Sequence, residues 1–380
     1  MHAVRSAEQR TEPGPVRPSG SLSQRTRYAL PVNRYHRQSL LPDIGPEGQA
    51  ALANATVLII GVGALGCGVA DLLARAGVGT IRVVDRDTVD HTNLQRQVLY
   101  CDRDATEGRP KAIAAADRLS EINGDITIEP HVDDVTAANI ETLAAGCAVL
   151  VDGLDNLDTR YLLNDYAVRE GKPYVYGGAV GTGGLVMPLL PKHCAGPVQW
   201  ATPTGCLRCV FPEPPPPGTL PTCDTAGVLG PAVAAVTAHQ SALVLALLVG
   251  RTGDELDRTM HAIDPWLGES RRVALPEPRA DCPCCCAGNY EWLEGGRGAT
   301  TTVLCGRSAV QVHPAAAGAL DLAALATRLA DHGIVRHDAH VLRCVLPNDT
   351  TMTVFADGRA MFSTDDAALA RSLYDKYIGR

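Results

Sequence analysis

The 380-residue chain carries 34 Lys and Arg against 42 Asp and Glu, a formal charge of -8, with 46% hydrophobic and 20% charged residues. These values imply two or three compact units with a sizeable core and exclude a disordered or collagen-like chain. The acidic balance excludes general binding to nucleic acid or an anionic membrane, so an anionic ligand needs a local basic cluster.

Residues 1–30, rich in Pro, Ser, Arg and Gly without periodicity, read as a disordered leader, and no apolar h-region of a secretory signal is visible. A cytoplasmic chain is expected, whose 13 cysteines stay mostly reduced and are read first for metal or thiol chemistry. From Thr56, TVLIIG is a β-branched run closed by Gly, LGCGVADLLARAG is helical and TIRVVD is a second strand. Helices near 111–122, 137–144 and 160–170 then alternate with strands at 126–129, 148–152 and 173–177. That alternation predicts an α/β fold, a Rossmann-like, mostly parallel sheet with helices on both faces. The prolines of residues 212–221 (PEPPPPGTLP) lack amide donors and fix φ, so the stretch forms a crossover loop. The apolar stretch 228–249, interrupted by Pro231, Thr237, His239, Gln240 and Ser241, reads as a buried helix and not a membrane span. A strand at 259–263 and a cysteine-rich knot at 281–288 follow. The last part, 300–380, reads as a small α+β unit: strands in TTVLCGRSAVQV, a helix in LDLAALATRLADHG, a hairpin from HVLRCVL and TMTVFADGRAMF, and a helix in DDAALARSLYDKYIG.

Gly61, Gly63 and Gly66 form G-x-G-x-x-G between a strand and a helix, where bare backbone and a helix N-terminus favour a phosphate. Asp85, 19 residues beyond Gly66 at the end of the second strand, suits ribose hydroxyls. So far a dinucleotide and a mononucleotide fit equally, and a glycine turn serving only helix packing is the bland alternative. Downstream, DTVDHTNLQRQ (87–97) and GRPK (108–111) add Arg96, Lys111 and an amide, which suit a triphosphate and are superfluous for hydride transfer. The pattern G-x-x-x-x-G-K-[ST] is absent around these glycines, so an ordinary phosphotransferase is not expected.

Cys206 with Cys209, and Cys282 with Cys285, are two C-x-x-C pairs that can surround one Zn²⁺ through four thiolates. Cys284 and Cys286 leave the second pair open, and redox thiols or another metal cluster remain alternatives.

GVGALG, VVDRDTVDHTNLQRQ, GRPK and LVDGLDN, preceded by RYHRQ at 34–38, resemble the enzymes that adenylate ubiquitin-like and sulfur-carrier proteins, and most of all the ThiF/MoeB/HesA group. The resemblance spans residues 31–288. It implies that Asp85 holds the ribose of ATP and that Asn93, Arg96 and Lys111 bind the phosphates, with Asp87, Gln97 and Asn156 completing the cofactor site. By the same resemblance Asp155 positions Mg²⁺ and is the acid on which catalysis depends most, with Asp152 the nearby alternative. Arg37 would reach into a neighbouring subunit, which implies a homodimer. The group's Cys₄ zinc site matches the two pairs. Cys223 matches the cysteine that can link covalently to a carrier, with a pKa lowered by the following apolar helix; a plain loop or core role is the alternative. The implied reaction is adenylation of the C-terminal glycine of a small β-grasp carrier ending in Gly-Gly, as in thiamine or molybdopterin biosynthesis, or of another modifier or peptide. Residues 300–380 lack the rhodanese cysteine loop, so any sulfur comes from a separate donor protein. That unit reads as an accessory for carrier docking or dimer geometry, or as structural padding. An NAD-dependent oxidoreductase and an inactive scaffold are the competing readings; the first leaves Arg96 and Lys111 without purpose, and the second would be expected to lack some of these residues.

Overall fold

The computed structural model describes residues 34–192, 203–215, 223–251, 255–295, 301–304, 309–312, 320–347 and 349–378. The leader, Cys194, Cys305 and residues 216–222 of the proline-rich loop lie outside them. In chain order the elements are α1 (His36–Ser39), α2 (Gly45–Ala53), β1 (Thr56–Ile60), α3 (Ala64–Ala76), β2 (Thr80–Val84), α4 (Asp102–Glu107), α5 (Lys111–Ile122), β3 (Thr127–His131), α6 (Ile140–Leu143), β4 (Val149–Asp152), α7 (Leu157–Glu170), β5 (Tyr174–Val180), β6 (Gly183–Leu189), α8 (Leu207–Val210), α9 (Cys223–Ala226), α10 (Gly230–Leu248), β7 (Thr259–Asp264) and β8 (Glu269–Ala274). The C-terminal part adds β9 (Thr301–Leu304), β10 (Ala309–Val312), α11 (Leu322–Leu329), β11 (Ile334–His337), β12 (Val341–Val345), β13 (Thr351–Phe355), β14 (Ala360–Phe362) and α12 (Ala367–Tyr377).

The first sheet has the order β3-β2-β1-β4-β5-β6-β7-β8. It is parallel through β5, where each strand is reached by a helical crossover, and antiparallel beyond, because the tight turn at Gly181 (φ +61°) reverses the chain into β6. The strictly alternating pleat splits β1 between two cores: Val57 and Ile59 pack with Leu73, Leu119 and Val244, while Leu58 and Ile60 pack with Tyr161, Leu163 and Tyr174. Each face of the strand is therefore covered by helices, as the continuous apolar run requires.

Helix α10 is long and apolar enough to cross a membrane by length and composition. Here it packs against α3, β5 and β6, and Gly68 of α3 makes room for Thr237: a Cβ at Gly68 would stand 2.8 Å from that side chain. The second sheet is antiparallel, in the order β11-β12-β13-β14-β10-β9, with α11 and α12 over one face. Compared with the sequence expectations, the helix at 137–144 shortens to four residues, and β6, β8 and β11 are added.

Candidate active site

β1 lies between β2 and β4, so the chain leaves β1 and β4 on opposite sides of the sheet and opens a crevice at their C-terminal ends. Two glycines line the crevice from these strands. Gly61 follows β1 with φ +83°, and a Cβ on it would sit 2.6 Å from the carbonyl oxygen of Gly153, which follows β4. Gly66 packs the helix onto the same turn, since its Cβ would fall 1.9 Å from the Gly61 oxygen. Gly63 caps α3, whose first amides point into the crevice mouth. The result is a backbone cradle that any side chain would fill.

Asp85 follows β2 and is buried. Its Oδ2 accepts the Val62 amide at 2.7 Å and its Oδ1 the Asp87 amide at 2.7 Å, which fixes it beside the glycine turn. Burial pushes its carboxyl above the ordinary carboxylate range, against the downward pull of the Lys111 ammonium. Lys111 begins α5, is only 5% exposed and donates to Asp87 Oδ2 at 3.1 Å. Its backbone amide also donates to the Asp87 carbonyl at 2.8 Å, tying the two segments together.

Asn93 and Gln97 are buried in the turn after Asp87, and Gln97 lies close to Gly63. The Asn93 side chain accepts the Asp90 amide at 3.1 Å and so shapes the turn itself. Arg96 donates Nη1 to the Thr92 carbonyl at 2.8 Å. Its Nε, and Oε1 of Gln97, are buried without a hydrogen-bond partner. The unpartnered Arg96 Nε is a donor that suits an anionic ligand such as a polyphosphate, whereas the Gln97 oxygen is an acceptor and suits a ligand hydroxyl or amine.

The acids after β4 separate cleanly. Asp152 is fully buried, paired with Arg160 Nε at 3.0 Å and accepting the Tyr174 hydroxyl at 2.8 Å and the Leu154 amide at 2.9 Å. These partners close it to a metal, so it is removed as the alternative to Asp155. Asp155 is exposed at the crevice, within electrostatic reach of Arg86. Asn156 is a helix cap: its Oδ1 accepts the Thr159 amide at 3.0 Å and starts α7. Arg86 and its partner Asp134, 3.1 Å apart, were not singled out from the sequence, because only the meeting of the ends of β2 and β3 brings them together. Gly153 had a usable signal, a glycine directly after the apolar run VLVD.

Two expected site residues lie elsewhere. Arg37 is exposed on α1, which packs at the C-terminal end of α3, where Gln38 donates to the Ala76 carbonyl and Gly77 touches Tyr35. The 13 residues of α3 separate it from the cradle by about 20 Å at 1.5 Å per residue. It cannot serve the pocket of its own subunit. Cys223 opens α9, seven residues before α10 starts, and its Sγ donates to the Ala179 carbonyl at 3.3 Å. The sequence places a thiol near the start of the apolar helix; the structure puts it at the head of a short helix of its own, seven residues ahead of α10.

The cysteine pairs do converge. The sulfurs of Cys206, Cys209, Cys282 and Cys285 lie within 4.8 Å of one another. Separations of 3.6 Å for Cys206–Cys282, 3.4 Å for Cys209–Cys285 and 4.0 Å for Cys206–Cys209 approach the roughly 3.8 Å edge of a tetrahedron with 2.3 Å metal–sulfur bonds. Hydrogen bonding to Cys206 pushes the Cys209 thiol up to about 12 and Cys285 further, while Cys206 itself is lowered. Four thiols so crowded cannot all ionise unless a cation joins them, so the group could hold a metal. Cys284 lies outside that four-sulfur set but is buried beside it, in hydrogen-bonding contact with Cys206 and Asp165 and accepting from Asn164 Nδ2 at 3.3 Å, while Cys286 is exposed. Asn164 also accepts the Leu207 amide at 2.7 Å, joining α7 to both halves of the knot. Cys67, whose thiol burial pushes up to about 12, is a core residue.

Residues 35–284 match the ThiF family. The chain is 40% identical over 351 residues to the sulfur carrier protein ThiS adenylyltransferase of Bacillus subtilis, covering 92% of this chain and 100% of that protein. It is 39% identical over 255 residues to a sulfur carrier protein adenylyltransferase of Thermus thermophilus, covering 67% and 90%. Among solved structures, MccB of E. coli with ATP aligns at a TM-score of 0.55 and 22% identity, over 67% of this chain and 75% of that one, a likeness of fold alone.

Proposed function

This chain belongs to the ThiF family, and on that premise we propose that it adenylates the C-terminal glycine of a small ubiquitin-like sulfur carrier ending in Gly-Gly, releasing pyrophosphate from ATP. It is an adenylyltransferase, as its relatives' names state. The observation that carries the reading is the convergence of the glycine cradle, Asp85 and Lys111 at one switch point, with Gln97 beside Gly63 and an unpartnered Arg96 Nε in the adjoining segment.

The carrier carboxylate attacks the α-phosphorus of ATP, a bond to carboxylate oxygen forms as the bond to pyrophosphate breaks, and an acyl adenylate results. No activated serine or histidine is needed. The barrier is the approach of an anion to a polyanion, which positioned cations lower. Asp85 orients the ribose, the cradle amides and Lys111 hold phosphates, and Arg96 neutralises developing charge. Mg²⁺ fits the exposed Asp155 carboxylate by donor type and, when bound, supplies charge neutralisation at the phosphates. Zn²⁺ fits the four thiolates as a structural ion that ties residues 206–209 to 282–285.

The remote position of Arg37 supports a homodimer in which each arginine completes the other subunit's pocket. Cys223 would act after adenylation: its thiolate attacks the acyl adenylate, forming a thioester as the bond to AMP breaks. The protein's place is the cytoplasm, and residues 300–380 form an accessory domain. The test is incubation with ATP, Mg²⁺ and a panel of diglycine-tailed carriers, read by pyrophosphate exchange and by mass spectrometry of the carrier terminus, with Cys223→Ser expected to leave the adenylate yield unchanged. Absence of any adenylated carrier, alongside tight capture of a pyridine dinucleotide, would overturn the reading.

A further inference from the structure

The helices α11 and α12 cover one face of the second sheet, yet β13 is buried on both: Met352 and Val354 face those helices, and Thr353 and Phe355 face away. The far face meets the first sheet. Val341, Phe355 and Met361 pack on Val132, the residue that follows β3 by one position. Beside them Arg359, only 3% exposed, donates Nη2 to the Val132 carbonyl at 3.4 Å. Its guanidinium is held by Asp357 at 2.5 Å and stacks on the Phe355 ring at 4.5 Å, and its Nη1 is buried without a hydrogen-bond partner. A second contact comes from β12, where Arg343 Nη1 stands 3.2 Å from the place of a Cβ on Gly108.

Both contacts fall on segments that carry charges of the nucleotide crevice. Gly108 opens the stretch that ends in Lys111. Val132 leads through Asp133 into Asp134, whose carboxylate accepts from Arg86 Nη1 at 3.1 and 3.3 Å, and Arg86 is joined to Asp85. The buried arginine of the second sheet thus grips the loop that orients the cation next to the ribose acid.

We propose that the C-terminal sheet is a clamp on the ATP pocket and that Arg359 is a positioning residue for nucleotide binding, acting through residues 132–134 and Arg86. The inference rests on the ATP reading above. A displacement near 1 Å in a binding loop is enough to cost an order of magnitude or more. It also gives residues 300–380 a task at the nucleotide, distinct from carrier docking.

The test uses the full chain, with Arg359→Ala, Arg359→Lys and, as a control for lost stability, Leu342→Ala in the opposite core of the same sheet. ATP affinity is measured by calorimetry, and kcat and the KM values for ATP and carrier by pyrophosphate exchange. Arg359→Ala should raise Kd and KM for ATP about tenfold, a common size for coupling between linked sites, with kcat and the carrier KM within about twofold. Arg359→Lys, which keeps a donor for the Val132 carbonyl, should recover part of the loss and carries the test should the alanine variant fail to fold. Leu342→Ala should lower the melting temperature and leave KM for ATP in place. An unchanged KM for ATP in the Arg359 variants, or an equal rise in Leu342→Ala, overturns the clamp while the ATP site stands. Parent protein that binds no ATP overturns the site and the clamp together.

Discussion

Replacing Lys111 by alanine removes an ammonium 3.1 Å from Asp87 Oδ2, in a pair whose side chains are 5% and 20% exposed. At that separation and an effective dielectric near 20, the attraction is about 5 kcal/mol. Stranding one partner of a buried pair costs about 3–5 kcal/mol, and the partial exposure of Asp87 places this one near the lower end. The loss has a definite pH dependence. Asp85 already has its carboxyl raised by burial, and without Lys111 it rises further. A carboxyl whose folded pKa lies above its unfolded value binds its proton more tightly in the folded state, so the penalty is full at pH 8 and shrinks as pH falls into the carboxylate range. Urea unfolding at pH 8 and pH 5 measures both. The double variant Lys111→Ala with Asp87→Asn removes the stranded charge and should regain most of the stability, while carrier-dependent pyrophosphate exchange stays lost in both. The reasoning fails if Lys111→Ala unfolds within about 1 kcal/mol of the parent at pH 8, or if the double variant exchanges at the parental rate.

The two acids after β4 should behave oppositely. Asp155→Ala, at an exposed position, should abolish exchange and change stability by no more than about 0.5 kcal/mol, whereas Asp152→Asn, which breaks the buried pair with Arg160, should cost about 3 kcal/mol in unfolding experiments. Undiminished exchange in Asp155→Ala would remove its metal role. Cys209→Ser should release zinc and lower the melting temperature, and Cys284→Ser should retain the ion, as metal analysis of the purified proteins will show. Equal metal loss from both would move the site.

What could be read from the sequence follows from where the free energy lies. TVLIIG and the run to Asp152 are legible because strands buried on both faces must be apolar, and the glycines that follow them, Gly61 and Gly153, are irreplaceable where backbones touch; TIRVVD is legible from the β-branched residues on either side of Arg82. β8 escaped because ESRRVA is an edge strand exposed along its whole length and carries no alternation. β6 escaped because its glycines and Pro188 argue against a strand, and the ladders to β5 and β7 override them. Within the site, the cysteines that could hold a metal were visible as pairs, but which of the residues 282–286 join them is decided only by how closely the four sulfurs meet in space. Asp152 and Asp155 look alike in LVDGLDN; burial against Arg160 and Tyr174 is what separates them.

The distance between Arg37 and the cradle of its own chain has a consequence for how such an enzyme behaves in bulk. If each pocket borrows its arginine from a second copy, catalytic capacity obeys mass action: it grows faster than in proportion to total protein at low concentration and levels off once pairs predominate. A sparse supply of chains would then leave well-folded halves without turnover, so gene dosage would set throughput more steeply than for a self-sufficient catalyst.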